Sequence, residues 1–175
     1  MTGFPRPLLG FSAYSGTGKT TLLKQLLPIL RQQGLRVAVI KHAHHSFDID
    51  QPGKDSHELR TAGASPMLIA SRRRMAMIVE FEAEREEPVL EELLGYLDPE
   101  RIDLVLVEGF KQAQIAKIEL HRPALGKPLL CAQDTRIIAL ASDAEIPAAP
   151  ATLPRLDIND PQAIAGFILR QIVAT

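Results

Sequence analysis

The sequence predicts an α/β fold of three layers around a mostly parallel sheet, with a small β-hairpin extension. Three observations predict it. Short apolar runs recur at residues 8–13, 37–40, 102–107, 116–120 and 137–141, each bounded by polar or turn-forming residues. Helix-like leucine spacing and shorter amphipathic stretches stand between several of these runs, the alternation that parallel strands need. A phosphate-loop signature, Ala13-x-x-x-x-Gly18-Lys19-Thr20, lies where the first run gives way to the first helical pattern.

In chain order, residues 8–13 form the first strand and Leu22, Leu23, Leu26, Leu27 and Leu30 mark a helix that ends near Gly34. Pro28 falls inside that pattern, so a kink or an early break is expected there. Residues 37–40 complete a strand–loop–helix–strand unit with a right-handed connection. Residues 42–57 are polar and without periodicity, an exposed loop, and a short helix follows at 56–62. Two strands at 67–70 and 75–81 flank Ser71-Arg72-Arg73-Arg74 and suggest a hairpin. A short helix is expected at 91–97, and the run at 102–107 reads as a strand covered on both faces. Further strands follow at 116–120 and 137–141, with an Ala/Pro-rich surface connection at 148–154. Asp160 as N-cap and Pro161 at the first helical position open a C-terminal helix through Val173.

Length and charge bound the function. The 175 residues are one domain, 1–175, long enough to fold without staples. Twenty basic and 21 acidic residues leave a net charge of −1, which removes any general drive toward nucleic acid or an anionic membrane. The lone Cys131 excludes an intramolecular disulfide and four-cysteine zinc frameworks, and reads as a small apolar residue. No stretch approaches the ~20 apolar residues of a membrane span, and no secretory signal is legible. A reduced, cytoplasmic setting is expected.

The phosphate loop carries the chemistry. Gly16 and Gly18 let backbone N–H groups turn toward an anion, and the following helix aims its free N–H groups at the same place. Ser15, Gly16, Thr17, Gly18, Lys19, Thr20 and Thr21 are the candidate phosphate-binding residues. Lys19 would reach the β/γ-phosphates, the Thr20 hydroxyl would bind Mg²⁺, and Thr21 is placed for an α-phosphate. Ala13 replaces the first glycine, a position that requires a small residue. With this motif in its strand–helix context, the fold class is the three-layer P-loop NTPase fold.

Such a loop needs a carboxylate beside the metal, and Glu108 emerges at the carboxyl end of the 102–107 strand, where ligands bind in open α/β sheets. Asp103 lies at the wrong end and reads as an ordinary strand entry. Four of the five histidines lie between 42 and 57. Three readings of that loop stay open: it faces phosphate or a partner, it binds a transition metal through His42, His44, His45 and Asp48, or it is merely solvated. Asp48 or Asp50 would reach Mg²⁺ or a water beside the γ-phosphate, and Asp48 is the candidate catalytic carboxylate with Lys19. Arg72–Arg74 is a charged turn or an anion patch. Asp143, at the end of a late strand, is a turn residue or an acceptor for guanine N1–H and N2–H₂.

Taken in order, Ser15-Gly16-Thr17-Gly18-Lys19-Thr20-Thr21, Val39-Ile40-Lys41-His42-x-His44-His45, Asp50-x-Pro52-Gly53-Lys54-Asp55-Ser56, Ala62-Gly63-Ala64 and Val107-Glu108-Gly109-Phe110-Lys111 resemble the molybdopterin-guanine dinucleotide biosynthesis adaptor (MobB) family. The resemblance implies a GTP-binding homodimer that depends on Mg²⁺ and hydrolyses GTP weakly. It also implies a partner guanylyltransferase that attaches GMP to molybdopterin, with molybdopterin itself a candidate ligand. Glu108 stands where such loops usually have Asp, and a full Asn-Lys-x-Asp guanine signature is absent. Two other classes use the same loop: a small-molecule kinase, for which Arg72–Arg74 would form the lid, and a metal-insertion GTPase, with the histidine loop holding the metal.

Overall fold

The computed structural model describes residues 3–43, 47–83 and 85–174. In chain order the elements are β1 (Leu8–Ser12), α1 (Lys19–Gln32), β2 (Val37–Lys41), α2 (Asp55–Thr61), β3 (Met67–Ala70) and β4 (Met75–Ile78), then α3 (Leu90–Leu94), β5 (Leu104–Glu108), β6 (Lys117–His121), β7 (Ile137–Ser142), β8 (Arg155–Asp157) and α4 (Pro161–Ile168). Six strands form one sheet in the order β2-β5-β1-β6-β7-β8, every neighbouring pair parallel. The chain divides into two compact units, Met1–His42 with Val89–Thr175, and Ala43–Pro88.

The first unit is layered as its hydrophobic periodicity requires. Leu22, Leu23, Leu26 and Leu30 form the buried stripe of α1, which packs with Ile164, Phe167 and Ile168 of α4 on Leu9, Phe11, Leu104, Leu106, Ile118 and Leu120 of the sheet. On the other face Ile40, Val105, Val107 and Ile115 meet Leu90 and Leu94 of α3. β5 is thus covered on both faces, and its unbroken apolar run is the consequence. Each fully buried leucine contributes about 1.5–3 kcal/mol relative to exposure.

α1 continues through Pro28 to Gln32, so the expected break does not occur. Pro28 and Lys24, whose carbonyl a proline at 28 cannot serve, are both exposed. The buried leucines on either side hold the helix together, a packing gain that outweighs one missing hydrogen bond. Gly34, at φ 85°, ends the turn with its N–H donating to the Arg31 carbonyl at 3.0 Å. Past the 148–154 connection, three residues with charged ends form the edge strand β8, too short and too polar to announce itself. Asp160 caps α4 as expected, accepting from the Ala163 N–H at 2.9 Å, but the α-helix ends at Ile168 and a wider π-turn carries Leu169–Val173.

β6 departs from the apolar pattern on one side. Lys117, Glu119 and His121 alternate with Ile118 and Leu120, and all five are buried. The Lys117 ammonium donates to the Lys111 carbonyl and to Asp134, both at 2.8 Å. The Glu119 carboxylate accepts from the Leu130 and Cys131 N–H groups, both at 2.8 Å, and so anchors the loop before β7. Burial, with Glu119 beside it, pushes the Cys131 thiol up to about 11.

In the second unit β3 and β4 pair antiparallel, Met67 opposite Ile78, and make the small hairpin. Its second strand ends at Ile78 rather than Phe81. Arg60 of α2 binds three carboxylates, Asp50 at 2.8 Å, Asp48 at 3.0 Å and Glu80 at 2.6 Å, closing the 48–50 loop onto the exit of the hairpin. Among the described residues no helix is long and apolar enough to cross a membrane.

Candidate phosphate site

β1 delivers the chain to the phosphate loop at the carboxyl edge of the sheet. Ala13 is buried, with its methyl group in the core under α1, which explains a small residue with a Cβ at this position. Thr17 is also buried and ties the loop to itself: its hydroxyl donates to the Tyr14 carbonyl at 2.8 Å. Gly16 and Gly18 take φ of 81° and 100°, values that an L side chain rarely adopts. α1 starts at Lys19 with no side-chain cap and no acidic residue in its first turn, so its first N–H groups and its positive dipole end face the loop. Nothing in the local sequence competes with an external anion.

Charge converges on the same place. The Lys19 ammonium donates to the Ala13 carbonyl at 3.4 Å. Burial lowers its pKa from the ordinary lysine value; Glu108 opposes that shift, and Lys111 and Lys41 add to it. Around Lys19, then, two further lysines are answered by one carboxylate, a surplus of positive charge that a phosphate would relieve. Lys111 and Lys127 each lie 6.0 Å from the Tyr14 ring and extend this basic rim.

Glu108 ends β5 opposite Phe11 of β1 and Lys41 of β2, and pairs with the Lys41 ammonium at 3.5 Å. Gly109 follows at φ 94°, where a Cβ would stand 2.8 Å from that of His42. The His42 N–H donates to the Glu108 carbonyl at 2.9 Å, and its ring meets Phe110 at 5.5 Å. Thr20 and Glu108 offer only oxygen, the donor chemistry that Mg²⁺ takes, so the residues present fit that ion.

Asp143 leaves β7 at this edge and lines a cleft of about 620 Å³ with Ser142, Glu145, Pro147 and Asp157. It is not free-standing: the Arg122 guanidinium donates to it at 2.6 Å. Arg122 follows β6 directly and also donates through Nε to the Thr17 carbonyl at 3.0 Å and through Nη2 to Asn159 at 3.3 Å. Arg122 stands alone in the sequence, outside any run of arginines. The available signal was a single arginine just after a strand, at the edge that carries the phosphate loop.

The remaining candidates are placed elsewhere. Asp48 and Arg72–Arg74 belong to the second unit, Asp48 paired with Arg60 and the arginines in the exposed hairpin turn. Asp103 binds the Arg36 guanidinium at 2.7 and 2.9 Å at the opposite end of β5, where Arg36 holds its carboxyl well below the usual range. His44 and His45 lie outside the described residues, and no cluster of three or more His, Cys, Asp or Glu suited to a metal occurs among the described ones.

The model of the MobB family, "Molybdopterin guanine dinucleotide synthesis protein B", matches residues 8–143. That span is most of the chain and takes in the loop, Glu108 and Asp143. The chain belongs to the MobB family. Within that family it is 48% identical over 164 residues to the molybdopterin-guanine dinucleotide biosynthesis adapter protein of Escherichia coli, covering 93% of this chain and 91% of that protein. It is 44% identical to the Haemophilus influenzae adapter, covering 93% and 87%. Among solved structures, the crystal structure of molybdopterin-guanine biosynthesis protein B superposes with a TM-score of 0.69 at 30% identity, over 93% of this chain and 98% of that one. A Bacillus subtilis MobB structure, at 24% identity and a TM-score of 0.67, shares the fold. MobB membership and the layered P-loop nucleotide-binding fold thus agree with the geometry of the site.

Proposed function

We propose that this chain is a GTP-binding adapter of molybdopterin guanine dinucleotide biosynthesis, acting as a cytoplasmic homodimer that assists a guanylyltransferase. The observation that carries the reading is the uncapped start of α1 behind Gly16 and Gly18, ringed by Lys19, Lys41 and Lys111. In this reading the triphosphate lies on the N–H groups of Ser15 through Thr21 with Lys19 at the β/γ-phosphates. Thr20 and Glu108 hold Mg²⁺, which neutralises charge on the phosphates. Glu108 must then exchange its contact with Lys41 for the ion.

The base enters the cleft beside Asp143, which gives one carboxylate oxygen to Arg122 and keeps the other for guanine N1–H or N2–H₂. Hydrolysis is slow and accessory. Asp48, which pairs with Arg60 at 3.0 Å, is the carboxylate proposed to orient the attacking water. Arg122, which reaches the loop at the Thr17 carbonyl, donates to three protein acceptors. Molybdopterin and the transferase are the further proposed partners.

Titration with GTP and ATP, with and without Mg²⁺, tests the reading: GTP binds preferentially and Lys19→Ala abolishes binding. Adding the chain to a guanylyltransferase assay raises the yield of the dinucleotide. Equal affinity for ATP, or an unchanged transferase yield, overturns it.

A further inference from the structure

The geometry points to Arg122 as a positioning residue that fixes the Thr17–Gly18 peptide so that its N–H faces the bound phosphate. The proposal rests on the reading of the loop as a phosphate cradle. A peptide group is planar and trans, so its carbonyl and its N–H point in opposite directions. Arg122 Nε holds the Thr17 carbonyl at 3.0 Å, and the Gly18 N–H is thereby aimed away from the arginine. Left alone this peptide would turn easily, because Gly18 at φ 100° has no Cβ to resist the rotation. The Thr17 side chain does not restrain it. Its hydroxyl and its own N–H both bond the Tyr14 carbonyl, which pins the preceding peptide instead.

Arg122 is itself held. Nη1 donates to Asp143 at 2.6 Å and Nη2 to Asn159 at 3.3 Å, so the guanidinium is braced by the loops after β7 and before α4. Nε serves the Thr17 carbonyl, so the side chain orients the loop through its backbone and does not need to touch phosphate. Asp143 and Asn159 become part of the cradle at one remove, and the loop that lines the cleft is mechanically tied to the loop that binds the phosphates.

Arg122→Gln tests this, with ¹⁵N spectra of the nucleotide-free protein and titration of inorganic pyrophosphate, GDP and GTP. The expected result is a displaced Gly18 amide resonance with faster hydrogen exchange. Affinity for pyrophosphate falls roughly tenfold, as expected for a lost charge-assisted restraint, and affinity for GDP and GTP falls by at least that factor, because Asp143 loses its arginine as well. The loss for pyrophosphate is the mark of an effect on the cradle, because that ligand has no base. Arg122→Lys, which keeps a charge near the carbonyl but drops the two braces, gives a smaller loss. Asn159→Ala removes one brace while keeping the arginine, and displaces the Gly18 resonance in the same direction; it serves if Arg122→Gln does not fold. An unmoved Gly18 resonance, or a loss confined to guanosine ligands, overturns the proposal. If the wild-type chain binds neither pyrophosphate nor nucleotide, the phosphate-cradle reading fails and the proposal falls with it; an unmoved resonance in a chain that does bind overturns the proposal alone.

Discussion

Replacing Gly109 by alanine puts a methyl group where the end of β5 meets the residue after β2. Two costs add. A φ of +94° sets alanine in the left-handed region, at about 1–2 kcal/mol. The new Cβ stands 2.8 Å from the His42 Cβ and 3.3 Å from the His42 carbonyl oxygen, and a crowded site of this kind costs about 1–3 kcal/mol. The obstacle is backbone held by the His42 N–H to Glu108 bond at 2.9 Å, so it cannot swing aside as a flexible side-chain end would. Reduced freedom in the unfolded chain returns about 0.4–1 kcal/mol. A net destabilisation of about 3 kcal/mol follows, or a urea midpoint lower by about 1–2 M at an m-value near 2 kcal/mol/M. Gly126→Ala is the control: its φ is +58° but no atom lies within 4 Å of the new Cβ, so about 1 kcal/mol is expected. Equal urea midpoints for the two variants would refute the close-approach argument. On the proposed reading, with Glu108 beside the ion, Gly109→Ala also weakens Mg²⁺-dependent nucleotide binding, measured under native conditions.

On the proposed reading, Glu108→Gln abolishes any gain in GTP affinity from Mg²⁺ and raises the Mg²⁺-free affinity, since a carboxylate beside the phosphates is gone; calorimetry at both conditions reads the two effects. Cys131, with its thiol pushed up to about 11, alkylates about a hundredfold more slowly at pH 8 than a thiol at the ordinary value of 9.0, and its rate climbs until near pH 11; a plateau by pH 9.5 contradicts the burial argument. Asp103 is depressed by Arg36, so its contribution to stability is present above about pH 4 and disappears as pH falls through its lower folded value. The stability gap between wild type and Asp103→Asn is therefore full at pH 7 and narrows steadily as pH falls below about 4; a gap that stays constant from pH 7 down to about pH 2 would exclude this ionic origin.

The β1–loop–α1 unit was legible because every signal in it is local. Glycines at 16 and 18, a lysine after them and leucines at helical spacing declare strand, turn and helix within 25 residues. The unbroken apolar run of β5 declared burial on both faces and put Glu108 at the ligand-bearing edge. Pro28 misled because helix propensity is a local cost, and the leucine stripe against the sheet overrode it. β8 and the buried charges of β6 were illegible for a related reason: Arg155 and Asp157 carry no strand signal, and Lys117 and Glu119 are buried only because Asp134 and the N–H groups of residues 130 and 131 come to meet them.

The sequence by itself determined the class of fold, the phosphate loop and the family. Each is written in spacing along a short stretch of chain, where neighbouring residues are bound to meet. Only the tertiary structure decided what stands around the loop. Sheet order set Lys41 beside Glu108 across two paired strands. It brought Arg122 to the Thr17 carbonyl from 105 residues away, with Asp143 and Asn159 behind it. No periodicity records such a meeting, because it depends on which strand ends lie side by side once the core has closed.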